Sequence, residues 1–361
     1  MATPVTRLVE EVGYASGVDI RVEFTRELAK IDGEMMRVLN ERGGHARPLY
    51  EMLAYHLGLD GTEVARGKRL RPLLGLLAYH SLTGDYDAAL PGAAAVELGH
   101  NFSLVHDDIE DGDRERRHRP TLWAIWGIPL AINAGDALFA LSRLAIYRLL
   151  DDGFDERRVL ELMRIYDETC LALCEGQYLD ITFERHDSVT VDAYLEMIGK
   201  KTAALLGASV QAGAILATDD PEVIEAYRRF GYDLGMAFQM ADDVKGTFWA
   251  SAESGKPEAG DVRRRKKTLP VVWALEHGSD ADRARLRAIY ARDDGAGADE
   301  PMSDELVTEV LAILARCGAR EHASAEARRY RDRALALLDE LPCPPERRED
   351  LERFVRSVIA A

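Results

Sequence analysis

Cysteine is scarce and unpatterned: Cys170, Cys174, Cys317 and Cys343 are the only four in 361 residues, with no CxxC or Cys/His spacing. That argues against a disulfide scaffold and a zinc site, and Cys170 and Cys174, one helical turn apart in an apolar stretch, read as buried thiols. Positive charge is in the minority, 46 Lys and Arg against 63 Asp and Glu, a formal net charge of −17. A surface of that sign repels polyanions, so no nucleic acid is expected as a partner. An anionic ligand would need local cations or metal ions. The N-terminal MATPVTRLVEEVG lacks the apolar core of a signal peptide. The longest uncharged run, 202–218, is too short and too polar to span a bilayer. A cytoplasmic protein with no membrane span is expected.

Strand-like alternation is also missing, as is any repeat of fixed period. What is present is helical periodicity, with apolar residues at threes and fours over 18–42, 48–57, 71–82, 88–113, 129–150 and 156–184. The pattern continues over 191–217, 221–248, 268–276, 279–290, 303–316, 323–341 and 346–359. Pro72, Pro129 and Pro221 fall near helix starts, where a missing N–H costs least. An all-α protein forming a single domain over 1–361 is expected. Two segments break the helices. SAESGKPEAGDVRRRKK, 251–267, has the composition of a lid, and RDDGAGADE, 292–300, that of a plain connection.

The stretch LVHDDIEDGDRERRHRP, 104–120, holds six acids, four arginines and two histidines directly after an apolar segment. On a helix Asp107 and Asp111 share a face about 6 Å apart in rise, and Asp108 is turned away by roughly 100°. Stacked like charges on a buried helix are unfavourable unless a cation compensates them. Hard oxygen ligands with room for water and phosphate suit Mg²⁺. A second pair, Asp242-Asp243 in FQMADDVKGTF, ends another apolar helix. Two such helices facing each other would form a mouth able to hold a small Mg²⁺ cluster. Basic residues accompany both pairs: Lys68, Arg69 and Arg71; Arg114, Arg116 and Arg117; Lys200 and Lys201; and the run from Arg263 to Lys267. In a chain this acidic, they read as a diphosphate clamp.

In order and spacing GKRLRP, HNFSLVHDDIEDGDRERRHRP, EGQYLDI, KKTAAL, FQMADD and KKTLP resemble the motifs of the trans-prenyl diphosphate synthases, from Gly67 to Pro270. The resemblance implies an all-α bundle around an apolar cavity, usually a homodimer, that joins isopentenyl diphosphate head-to-tail to an allylic diphosphate with Mg²⁺, three ions in all. It implies metal ligation by Asp107, Asp111 and Asp242, with Asp108 supporting through water. Arg116, Lys201 and Lys266 would hold the allylic diphosphate. Gly67, Lys68, Arg71, His100 and Arg117 would hold isopentenyl diphosphate, and Thr202 and Gln239 would contact substrate near the reacting carbons. Tyr178, Asp180 and Trp123 are candidates for packing roles. No protein nucleophile is needed, and the released pyrophosphate is the family's usual base.

Two departures stand out. The family's second motif is commonly DDxxD, whereas here Lys245 and Gly246 follow Asp242-Asp243-Val244. His118 stands where a glycine often follows the arginine pair. Upstream of the first motif, Phe102 five residues before Asp107 and Ser103 four before resemble the cavity floor of synthases that stop at C20, with C15 next. Gly99 or a neighbouring helix is the alternative floor. A terpene cyclase on the same scaffold and a non-catalytic partner subunit are the rival readings. The intact Lys68, Arg71 and Arg117 set argues against the first, and the complete first acidic motif against the second.

Overall fold

The computed structural model describes residues 20–61, 66–186, 188–248, 259–291 and 301–359. It is almost entirely helical, as the periodicity predicts. The chain groups into two compact units. One comprises Met1–Cys170, Leu205–Gly231 and Leu337–Ala361, and the other Leu171–Ala204 and Tyr232–Ala336.

The helices of the first unit are α1 (Ile20–Glu23), α2 (Thr25–Asn40), α3 (Arg47–Leu57), α4 (Leu70–Thr83), α5 (Leu90–Glu110), α6 (Leu122–Trp126) and α7 (Ile128–Tyr147). Part of α8 (Glu156–Arg185) follows. Pro48, Pro91 and Pro129 sit in the first turns of α3, α5 and α7. Left-handed Gly58 and Gly84 end α3 and α4. The small residues of the Pro91–Ala95 stretch let α5 run through the middle of the unit, with α2, α4 and α7 packed against it. Ala94, Leu98 and Val105 are almost fully buried.

Among the described residues one helix, Ile128–Leu150, is long and apolar enough to cross a membrane by length and composition. It carries Asp136, Arg143 and Arg148 and lays Ala131, Leu138 and Leu141 on α5, the pattern of a core helix with a second, exposed apolar face.

In the second unit, α9 (Val191–Ile198) leads into a π-helical turn at Gly199–Ala203, a break that 3.6-residue periodicity does not reveal. Then come α10 (Ala204–Ala217) and α11 (Pro221–Phe248), whose remaining parts belong to the first unit, and α12 (Gly260–Arg263), α13 (Leu269–His277), α14 (Asp280–Tyr290) and α15 (Asp304–Arg316). The chain closes with α16 (Ala319–Glu340) and α17 (Pro345–Ile359). Thr190, Ser279 and Ser303 cap α9, α14 and α15 by accepting from the third following backbone N–H. Val271, Leu275, Leu286, Val310 and Leu314 form one core, and Tyr194, Met197, Met236, Met240 and Leu269 another.

The segment expected to be an irregular lid is in part ordered: α12 buries Val262, the Met302 N–H donates to the Arg263 carbonyl at 2.9 Å, and Arg263 pairs with Asp304 at 2.7 Å. Its first half, 251–258, and the loop 292–300 lie outside the described residues.

Candidate active site

In the first unit, α5 ends at Glu110, and left-handed Gly112 turns the chain out before the expected end at Asp113. Asp111 caps it, with its N–H on the Asp107 carbonyl at 2.8 Å, so Asp107 and Asp111 remain one turn apart. Four acids at a helix C-terminus oppose the helix dipole, which favours cations there. Asp108 differs from its neighbours. It is buried, its Oδ1 accepts from Arg116 Nε at 2.6 Å, and its Oδ2 has no partner among the described residues. Burial pushes its carboxyl up to about 6 against the pull of Arg116.

Arg116 and Arg117 sit on a two-stranded hairpin, Glu115–Arg116 against Arg119–Pro120, the one strand pairing among the described residues and one the helical reading misses. Its two-residue turn places Arg117 at φ 53° and His118 at φ 59°, the demand of a type I′ turn, which explains a glycine at the second position elsewhere. Arg119 stacks 3.7 Å over Tyr55 and forks onto Asp60, and Tyr55 Oη donates to the Pro120 carbonyl at 3.0 Å. Trp123 Nε1 donates to the Asp113 carbonyl at 2.8 Å. We expect His118→Gly to stabilise the fold by about 0.5–1 kcal/mol, read as a higher urea midpoint. An unchanged midpoint would mean the turn stores no strain.

The GKRLRP segment divides its cations by burial. Lys68 is exposed. Arg69, in left-handed conformation before α4, turns inward and donates to Asp32 at 3.0 Å, Glu97 at 2.9 Å and the Leu57 carbonyl at 2.5 Å. Arg71 meets His100 Nε2 on α5 at 3.1 Å, while its Nε is buried with no partner among the described residues. A Cβ on Gly67 would lie 2.8 Å from the Arg117 guanidinium, so a side chain there would push that guanidinium from its place. With Asp32 and Glu97 bonded to Arg69, and Asp108 to Arg116, Arg71 and Arg117 have no ion pair among the described residues. Burial brings Arg71 down to about 10, with Glu97 opposing and Arg117 adding to the effect. Burial, then Arg71 and Arg117, hold His100 well below the ordinary histidine range. Gly67, Arg71, His100 and Arg117 are thus brought together as the sequence predicts, with Lys68 at the edge.

Phe102 is buried on α5, edge-on to Phe139 of α7 with ring centroids 5.1 Å apart. Ser103 is half-buried, its Oγ donating to the His100 carbonyl at 2.9 Å. Gly99, the alternative floor, is covered by the Tyr166 hydroxyl, which donates to Ser142 Oγ at 2.5 Å.

In the second unit, the π-turn carries Lys201 and Thr202. Lys201 Nζ pairs with Asp180, giving Asp180 a charge partner beyond packing, and Tyr178 is exposed. Thr202 Oγ1 donates to Gln239 Oε1 at 2.9 Å, and Gln239 Nε2 donates to Asp243 Oδ1 at 3.0 Å. Asp243 Oδ2 accepts from the Tyr194 hydroxyl and from the Leu269 N–H. Burial raises the Asp243 carboxyl to about 7, with the Tyr194 and Gln239 bonds opposing. Asp243 therefore ties α9, α11 and α13 together, whereas Asp242 stays half-buried.

Three side chains of the RRRKK run, Arg263, Arg265 and Lys267, bond other segments of the second unit. Besides Arg263, Arg265 Nε donates to the Ile289 carbonyl, and Lys267 Nζ caps α8 on the carbonyls of Phe183, Glu184 and His186. Lys266 is held by its N–H on the Asp261 carbonyl at 2.9 Å. The Asp261 carboxylate in turn fills the space where a side chain on Gly246 would begin, which accounts for the glycine in the second acidic motif.

Among the described residues no three His, Cys, Asp or Glu side chains gather to enclose a cation. Carboxylates on a helix end opposed by its dipole fit an ion whose shell is completed by water and phosphate, the habit of Mg²⁺.

The model of the polyprenyl synthetase family matches residues 49–307. A (2E,6E)-farnesyl diphosphate synthase of Mycobacterium tuberculosis is 39% identical over 320 residues, covering 87% of this chain and 86% of that protein. A geranylgeranyl diphosphate synthase of the same organism is 44% identical over 248 residues, 67% of this chain and 69% of that one. The crystal structure of geranylgeranyl pyrophosphate synthetase from Pyrococcus horikoshii superposes with a TM-score of 0.83 at 33% identity, covering 94% of this chain and 98% of that chain. The motifs, the helical fold and these matches agree: the chain belongs to the polyprenyl synthetase family and is a trans-prenyl diphosphate synthase.

Proposed function

We propose that this synthase condenses isopentenyl diphosphate head-to-tail with an allylic diphosphate to give geranylgeranyl diphosphate (C20), with farnesyl diphosphate (C15) the alternative product. The observation that carries the reading is the buried cluster of the first unit, where Arg71, His100 and Arg117 lie within one another's fields. Their guanidiniums match phosphate oxygens bidentately. Gly67 and Lys68 would complete the isopentenyl diphosphate site, and Arg116, Lys201 and Lys266 would hold the allylic diphosphate. Asp107, Asp111 and Asp242 would hold Mg²⁺, three ions in all, with Asp108 behind them through water. Bound there, magnesium supplies charge neutralisation of the departing diphosphate. Thr202 and Gln239, already bonded to each other, would orient the substrate near its reacting carbons.

The whole chain acts as one domain in this reading, since the family match from 49 to 307 runs through both units. A homodimer is supported by the exposed Ile125, Ile128, Leu130, Ile132, Leu144 and Tyr147 of α6 and α7, large apolar side chains that a second copy could cover. A cytoplasmic location is supported by four unbridged cysteines.

Purified protein incubated with Mg²⁺, geranyl diphosphate and labelled isopentenyl diphosphate tests the reaction. Label in a longer diphosphate is expected; an unlabelled volatile hydrocarbon would mark a cyclase instead. Chain length is tested by Phe102→Ala. Removing the ring deepens the space beside Phe139, so products longer than wild type are expected by chromatography. Identical products would place the floor elsewhere.

A further inference from the structure

His56 lies on α3, next to the tyrosine that anchors the arginine hairpin, and no motif singles it out. One ring nitrogen is engaged with the Asn101 backbone in a bond that favours the protonated ring, so the acceptor is the carbonyl and the ring donates. Nε2 is the other nitrogen, buried and without a partner among the described residues. Two further orphans accompany it, Arg71 Nε and Arg117 Nη1. Three unsatisfied buried nitrogens in one cluster are costly unless a ligand satisfies them. The charges that weigh most on His56 are basic: Arg117 and Arg116 on the hairpin and Arg69 before α4, with His100 on α5 in the same field, while the carboxylates of Asp108 and Glu97 are bonded to Arg116 and Arg69. The missing partner is therefore an anion with several acceptor oxygens.

We propose that His56 is a further ligand of the isopentenyl diphosphate, presenting Nε2 to a phosphate oxygen beside Arg71, Arg117 and His100. This rests on the reading of that pocket given above and adds a residue to it. The chemistry also assigns His56 a proton. In the free protein, burial and then Arg117 and Arg116 hold its imidazole down at about 3, so it is neutral and Nε2 carries a lone pair. A multiply charged diphosphate reverses the field, the ring takes a proton from solvent on Nε2, and that N–H is donated to the phosphate. Binding is thereby linked to proton uptake, shared with His100.

His56→Leu removes the donor, and His56→Gln keeps an N–H donor at that reach without titrating. The Michaelis constants for isopentenyl and geranyl diphosphate are measured separately for wild type and both variants. Proton uptake on binding inorganic pyrophosphate is measured by calorimetry in two buffers of different ionisation heat. We expect H56L to raise KM for isopentenyl diphosphate by about ten-fold while leaving that for geranyl diphosphate within two-fold, as loss of one charge-assisted bond implies. H56Q should restore most of the affinity but take up fewer protons than wild type. If H56L does not fold, the uptake by H56Q decides. Wild-type constants and wild-type uptake in the variants of a coupling-competent enzyme would overturn the role of His56 alone. A wild type that couples nothing would overturn the proposed reaction and this role with it.

Discussion

Replacing Arg69 with methionine is expected to destabilise the protein by about 3–5 kcal/mol, the usual consequence of removing one member of a buried ionic set. The Arg69 side chain is 1% exposed and its partners Asp32 and Glu97 are 7% and 3% exposed, so no solvent is at hand to replace it. The two acids would not suffer equally. Asp32 keeps an ion pair with Arg66, whereas Glu97 keeps the Asn101 amide at 3.0 Å and the more distant fields of Arg71 and Arg117, with no ion pair among the described residues. Neutralising the stranded acid as well, in Arg69→Met/Glu97→Gln, should therefore recover a good part of the loss. The substitution should also weaken isopentenyl diphosphate binding, because left-handed Arg69 fixes where α4 begins and hence where Arg71 meets His100. Urea unfolding of both variants checks the first claim and the Michaelis constants the second. A single variant within 1 kcal/mol of wild type would show that the network is dispensable.

Arg69 also marks what the sequence does and does not make legible. GKRLRP is conspicuous as a run of cations, yet its middle arginine faces acids 28 and 37 residues away, and no local spacing announces those partners. The helices were readable because their cores repeat at threes and fours and because Pro, Gly, Ser and Thr punctuate their ends. The turn at Gly199–Ala203 was not, since one extra residue per turn leaves the apolar pattern on either side intact. The hairpin at 115–120 is too short and too charged to alternate visibly. At the candidate site, the spacing of Asp107 and Asp111 is a property of the helix itself and survives in the structure. The different fates of Asp108 and Asp243, each buried beside a more exposed aspartate, depend on packing across elements. Within the RRRKK run, Arg265 and Lys267 are illegible for the same reason: the carbonyls they bond lie on distant segments.

Gly246→Asp, which would rebuild the DDxxD pattern usual in the family, is expected to damage this protein rather than improve it. Glycine inside a helix normally costs about 0.5–1 kcal/mol relative to alanine, so its presence near the end of α11 calls for a spatial reason. The reason is Asp261: its carboxylate, 18% exposed, stands where the first carbon of any side chain at 246 would go. An aspartate there must displace Asp261 and then share its neighbourhood with a second carboxylate, of which only one could readily stay ionised. Overpacking and like-charge crowding together should destabilise by about 3 kcal/mol or more. Because the Asp261 carbonyl also holds the Lys266 N–H, the displacement should lower coupling activity too. If the two carboxylates compete for one place, removing the incumbent should make room: Gly246→Asp/Asp261→Ala should be markedly more stable than Gly246→Asp alone, with an interaction of at least about 1.5 kcal/mol in a urea double-mutant cycle. A Gly246→Asp single variant as stable as wild type, or a cycle that adds without interaction, would show that the glycine answers to something other than Asp261.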